Sequence, residues 1–205
     1  MIKLKHIVFA AMGALLLPSC DFMYDDPEKA EEEVTEGHFA YVDATSYAAW
    51  TYIDLSAKKA TTVSVDDEEN VPAEWDFALH RYNCKTNGGA VMETEFSSLD
   101  DLTKSGALPS GSWTEDVLTD STVVVDASHM MEGQLVYQTT NVNTVFSRWM
   151  TLDTSNMPPT YTTSDRVYLL RLADETIAAV RFTDYMDASG AKGYISFDYI
   201  YPLEL

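Results

Sequence analysis

Cysteine is nearly absent from this 205-residue chain, which holds two, Cys20 and Cys84. No cysteine pair stands at zinc-site spacing, and if Cys20 is taken up by a lipid anchor no intrachain disulfide can form. Basic side chains are scarce as well: 13 Lys and Arg face 33 Asp and Glu, a formal charge of −20. That balance argues against nucleic acid and anionic membrane surfaces as partners. The local signatures of hydrolases and nucleotide enzymes are missing too, with no G-x-S-x-G elbow, no H-E-x-x-H and no P-loop. Cys84 has His80 nearby in sequence and Lys85 beside it, which is weak support for a nucleophile, so it reads as a structural thiol. With 33 acids some pair will always suit glycosidase chemistry, so that signal has no specificity. The run Asp66 to Asn70 lacks the alternating oxygen ligands and glycine of a calcium loop and reads as solvated. The chain is therefore expected not to be an enzyme.

What is present begins with an address. Lys3 and Lys5 precede the apolar run Ile7 to Leu17, and the tetrad Leu17-Pro18-Ser19-Cys20 follows. This pattern predicts a signal peptide over 1–19 that ends in a lipobox, with Cys20 the acylated residue. Its apolar run is short for a bilayer span. Removing 1–19 leaves 11 basic against 33 acidic side chains, a formal charge of −22. The stretch Asp21 to Glu36 carries eight acids and one lysine, so 20–36 reads as a solvated tether behind the lipid. Residues 37–205 then suffice for one domain with a sizeable core, without internal repeat, heptad or long linker.

Strand patterns fill that domain. Candidate strands are His38 to Asp43, Ala48 to Leu55, Ala60 to Val65, Trp75 to His80, Thr122 to Val125, Gly133 to Gln138 and Val145 to Leu152. The segment Asn83 to Gly89 reads as a closing turn, carried by Asn87-Gly88-Gly89. Val167 to Leu172 and Thr176 to Thr183 read as a hairpin. In the last strand Ile195, Phe197, Tyr199 and Tyr201 share one face, and Tyr194, Ser196, Asp198 and Ile200 the other. Glu28 to Val34 is a possible short helix. The fold class is all-β, a single antiparallel domain. Trp50, Trp75, Trp113 and Trp149 read chiefly as core residues, with a sugar-binding or adhesin-like surface as the alternative.

Ligand-type side chains gather at two points. His129, Met130 and Met131 follow the apolar run Val123-Val124-Val125, and Met157 precedes Pro158-Pro159, whose stiffness puts it on a rigid loop. A hairpin between them would bring both ends together. Packing is the commoner use of methionine, so residue types alone leave the matter open.

The segments WDFALHRYNCKTNGG (75–89), SRWMTLDTSNMPPTYTTSDRVYLLRL (147–172) and AAVRFTDYMDASGAKGYISFDYIYP (178–202) resemble the HmuY-type haem-binding lipoproteins of Bacteroidota. The resemblance implies a hand-like all-β fold that grips haem (iron protoporphyrin IX) between two axial ligands, histidines in some members and methionines in others. It places the ligands at Met157 and at Met131 or Met130, with His129 as the competitor. No histidine follows His129, which rules out a bis-histidine pair at both points. Alternation along a strand would put Met131 with His129 and Met130 opposite. The acidic surface suggests that the propionates face solvent. The resemblance further implies haem capture at the outer membrane, on the cell surface or in released form, from host haemoproteins among other sources, and delivery to a TonB-dependent receptor. Cys20→Ser, expressed in the native host, is expected to lose acylation and appear as soluble or unprocessed protein; unchanged membrane retention would contradict the lipobox.

Overall fold

The structure is a computed structural model describing residues 35–155 and 157–205. The predicted signal peptide, Cys20, the possible helix over Glu28 to Val34 and the predicted tether up to residue 34 lie outside these residues. Among the described residues there are fourteen strands: β1 Thr35–Asp43, β2 Ala49–Asp54, β3 Lys59–Ser64, β4 Phe77–His80, β5 Asn83–Thr86, β6 Ala90–Glu93, β7 Thr114–Glu115, β8 Val117–Asp126, β9 Val136–Val142, β10 Met150–Asp153, β11 Thr160–Thr163, β12 Tyr168–Arg171, β13 Ile177–Met186 and β14 Lys192–Tyr201. One α-helix, α1 Leu99–Ser105, accompanies them. The fold is all-β, and the tether's last two residues already belong to β1.

All strand pairs are antiparallel. A six-stranded sheet runs β1-β14-β13-β12-β6-β7, a four-stranded sheet runs β3-β2-β4-β5, and β8-β9 and β10-β11 form two-stranded ribbons. The main core lies between the larger sheets. Alternation along β14 sends Ile195, Phe197 and Tyr199 into it, against Ile53 of β2 and Phe77 and Leu79 of β4. Phe197 meets Phe77 edge-on at 5.5 Å between ring centroids, a favoured geometry. Burying each such side chain is worth roughly 1.5–3 kcal/mol. Ile200, on the opposite face of β14, packs with Leu102 of α1 and Leu169 of β12. The outer face of the smaller sheet, with Trp50, Tyr52 and Ala78, receives Val123 and Val142 at the base of the β8-β9 ribbon.

Several expectations change here for local reasons. Asn83 to Gly89 is not turn throughout, because Asn83–Thr86 pair with Phe77–His80 as β5. Only the end turns: Gly88 has φ 74°, and a Cβ on Gly89 would lie 2.4 Å from the Arg171 carbonyl oxygen. Val145 to Leu152 opens as a 3₁₀ turn, Phe146–Trp149, before β10 begins. Buried Asn143 starts that turn: its side-chain oxygen accepts from Phe146 N at 2.9 Å, and its amide donates to Thr114 O and Asp116 Oδ1. The helix α1 was not anticipated, although Ser98 caps it by accepting from Asp101 N at 3.0 Å and Gly106 ends it at φ 65°. No helix among the described residues is long and apolar enough to cross a membrane.

Asp76 introduces a pH dependence. Its Oδ2 accepts from Leu55 N at 2.7 Å, while burial raises its carboxyl from the ordinary 3.8 to about 6. A carboxyl raised in the folded state stabilises the fold below its unfolded value and loses that contribution as pH rises through about 6. Asp76→Asn keeps an oxygen for the Leu55 N–H. It is expected to show a higher urea midpoint than the parent at pH 7, with the difference gone by pH 4; a lower midpoint at pH 7 would show that the carboxylate itself is needed.

Candidate ligand-binding cleft

Three hairpin tips surround a cleft of about 300 Å³. The β4-β5 tip supplies His80, Arg81, Tyr82 and Asn83. The end of β8 and the segment beyond it supply Thr122, Val124, Ala127, Met130 and Leu135. The β10-β11 hairpin supplies Leu152, Thr154, Pro159 and Tyr161, and Tyr47 comes from the loop between β1 and β2. A larger cleft, of about 510 Å³, lies beside β1 and α1; its wall is charged, with Glu36, Asp100, Arg181 and Asp198, and its one imidazole, His38, is held by Asp198 at 2.7 Å.

Each tip has a local cause. His80 pairs with Asn83, so Arg81 and Tyr82 form a two-residue loop, with Arg81 at φ 55°. Residues Met130–Glu132 form a 3₁₀ turn, closed by Gly133 at φ 76°. In the third tip Ser155 N donates to Asp153 Oδ1 at 2.8 Å, and the Met157–Pro158 peptide is cis. The Tyr161 ring stacks on Tyr185 with centroids 5.3 Å apart.

The walls are apolar and aromatic, with few fixed charges. His80 is 1% exposed, and its Nε2 lies 2.7 Å from the Tyr47 carbonyl oxygen. A carbonyl only accepts, so Nε2 carries the proton and Nδ1, which has no partner, keeps its lone pair. Burial lowers the His80 pKa, which keeps the ring neutral. Burial also raises the Tyr82 phenol and pushes Tyr185 up to about 12, Arg81 opposing both shifts.

The four sequence-predicted ligands fall unequally around this cleft. Met130 lines it and is 57% exposed. Met131 is 93% exposed and is not part of the wall. Strand alternation does not govern this pair, since both belong to a 3₁₀ turn. His129 is exposed and lies 3.3 Å from the Glu132 carboxylate. Met157, 85% exposed, sits two residues before the wall residue Pro159 on the third tip. The two methionine sites are thus on neighbouring hairpin tips, not at the ends of one hairpin. Arg81, Tyr47 and Tyr161 were not anticipated in the wall, although HRYN and MPPTY hold two of them.

Other candidate chemistry is absorbed by packing. Trp50 and Trp149 are fully buried, while Trp75 and Trp113 pack half-buried against core clusters. Trp50 and Trp75 also line a separate cleft of about 300 Å³, where Lys85 Nζ lies 4.2 Å from the Trp50 ring centroid and 5.8 Å from that of Trp75. Among the described residues no group of three or more His, Cys, Asp or Glu could hold a metal ion.

Two packed antiparallel sheets with a tyrosine-walled cleft at their hairpin tips define an all-β domain with a candidate ligand cleft. The family model described as HmuY protein matches residues 46–199, and the chain belongs to the HmuY family. A candidate HmuY-like haem-binding protein from Bacteroides vulgatus ATCC 8482 superposes with TM-score 0.78 at 49% identity, over 83% of this chain and 93% of that one. A candidate lipoprotein from Bacteroides fragilis NCTC 9343 gives TM-score 0.78 at 46% identity, over 83% and 91%. The apo HmuY analogue of Tannerella forsythia shares the fold at 24% identity, with TM-score 0.73 over 84% and 98%. No curated protein is significantly similar to the chain.

Cys84 is fully buried, and burial raises its thiol well above the ordinary value. Protein beginning after Cys20 is therefore expected to leave a thiol reagent unreacted at pH 8 while folded and to consume one equivalent on unfolding. Rapid reaction of the folded protein would reopen a nucleophilic role.

Proposed function

We propose that this protein binds haem in the cleft between the three hairpin tips, using thioether sulfur as the axial ligand, and carries it at the outer membrane. The observation that carries this reading is the placement of Met130 in a wall made largely of aromatic and aliphatic side chains, with Met157 on the adjacent tip. A metal held here needs most of its ligands from elsewhere, because no cluster of protein donors is at hand among the described residues. A porphyrin brings them with it. The residues present fit such a group: Tyr47, Tyr82 and Tyr161 offer aromatic contact, Val124, Leu135, Leu152 and Pro159 offer apolar contact, and Met130 offers a soft donor. The 49% identical relative described as haem-binding supports the same ligand.

Bound haem would supply an iron that soft side-chain donors can hold. Met130 takes precedence over Met131, which is exposed and outside the cleft wall. Met157 would be the second ligand, with His129 the competitor. Capture is reversible coordination, with no bond made or broken in the ring, and the protein is not an enzyme in this reading. Neutral sulfur donors favour ferrous over ferric iron. The lipobox at Cys20 and the relative described as a candidate lipoprotein support a lipid anchor at the outer membrane, and delivery of haem to a TonB-dependent receptor completes the proposal.

Met130→Ala, Met131→Ala, Met157→Ala and His129→Ala should be titrated singly with ferrous and ferric haem. Met130→Ala and Met157→Ala are expected to weaken binding by more than about tenfold, the lower end of what loss of even an outer-shell partner costs. Met131→Ala should bind like the parent. Wild-type affinity and spectra for Met157→Ala in both oxidation states would refute the two-methionine site, and loss of the complex in His129→Ala alone would make the site histidine-based.

A further inference from the structure

Arg81 stands in the cleft wall at a backbone position that suits another residue. It takes the first place of the two-residue β4-β5 loop at φ 55°, where glycine is usual. Residues held in this region collect at ligand clamps and other functional sites. The guanidinium is fixed on several sides. Nη1 donates to the Thr45 carbonyl oxygen at 2.7 Å, and the guanidinium carbon lies 4.9 Å from the Tyr47 ring centroid. Gly193 leaves it room, since a Cβ there would come within 2.9 Å of Nη1.

So held, the cation lacks an anion. Its Nε is buried and has no hydrogen-bond partner. Among the described residues no carboxylate forms an ion pair with it, whereas Arg148, Arg166 and Arg171 each meet one. In a chain with 33 acids and 13 Lys and Arg, an arginine without an ion pair among the described residues is suited to an acid arriving with a ligand. Tyr82 and Tyr161 bring phenol groups, potential O–H donors, to the same wall. Arg181 makes the contrast: its Nε is also without a partner, but Asp198 faces it across β13 and β14 and Glu36 and Asp100 share its cleft, so an incoming anion is repelled there.

The geometry points to Arg81 as the residue that takes a carboxylate of the bound ligand, which for haem is a propionate. This inference rests on the haem reading and deepens it, because it makes the cleft selective for porphyrin acids over their esters. Composition alone suggested propionates left to solvent; Arg81, a cation of the cleft wall without an ion pair among the described residues, gives one of them a partner.

The test compares haem with haem dimethyl ester, titrated by the Soret band on the wild-type protein, Arg81→Gln, Arg81→Lys and Lys192→Gln. Wild type should bind the ester at least about tenfold more weakly, the loss expected for one charge-assisted hydrogen bond. Arg81→Gln should weaken the acid by a similar factor, leave the ester unchanged and so erase the discrimination, while Arg81→Lys restores part of it. Equal wild-type affinity for acid and ester overturns the assignment, and that arm stands even if Arg81→Gln fails to fold. Equal loss of both ligands in Arg81→Gln overturns it as well. Lys192 lies 4.2 Å from the Tyr161 ring centroid; discrimination that survives Arg81→Gln and vanishes in Lys192→Gln would also overturn it by moving the contact to that lysine. No Soret change with either ligand on the wild type sinks the haem reading itself.

Discussion

A continuous series of ring contacts ties the core of this protein to its cleft. Phe197 touches Phe77 across the two sheets, Phe77 meets Phe146 at 5.3 Å, and Phe146 meets Phe182 at the same separation. Phe182 stacks on Trp149 at 4.2 Å, Trp149 contacts Tyr185 at 5.9 Å, and Tyr185 carries Tyr161 in the cleft wall. A two-stranded ribbon is marginal by itself in water. The β10-β11 ribbon gains its position from Trp149 just before it and Tyr161 within it, so the wall inherits its rigidity from the inter-sheet core. Loss of a ring in the middle of this series would disturb the cleft without touching it.

Polar groups hold the remaining tips with similar economy. Trp149 Nε1 donates to the Tyr82 carbonyl oxygen at 3.0 Å, and Asn143 N donates to the Cys84 carbonyl oxygen at 2.8 Å, so the β4-β5 hairpin is fastened to the segment behind it. Trp50 Nε1 donates to Gln138 Oε1 at 2.9 Å, which fastens the β8-β9 ribbon to the smaller sheet. These bonds satisfy donors that burial would otherwise leave unpaired. Large apolar side chains remain exposed at the tips, Met130, Met131, Val136 and Met157 among them. Such exposure in one region marks a surface meant to meet something.

Much of the fold could be read from residue order because β14 and the β12-β13 hairpin follow the two-residue period closely. Where the period is short or interrupted the reading failed for physical reasons. Strands β5 and β6 are four residues each on either side of a strong glycine turn, and that turn masked them. Val145 to Leu152 is apolar enough for a strand, yet buried Asn143 directs its first half into a 3₁₀ turn. The same kind of turn at Met130–Glu132 is why strand alternation could not separate Met130 from Met131. The place of Arg81 was hidden for another reason. Its surroundings come from Thr45, Tyr47 and Gly193, residues far from it in sequence, and no local pattern encodes that meeting.

Because the cleft is assembled from the tips of separate hairpins, its lining and its foundation tolerate change differently. Exposed tip residues such as Met130, Met131 and Met157 can be replaced at little cost to stability, since surface substitutions usually change it by only about ±0.5 kcal/mol. The rings beneath them cannot. A lineage built on this scaffold can therefore change which side chains the cleft presents, and so what it prefers, by drift at a few positions while its core stays still.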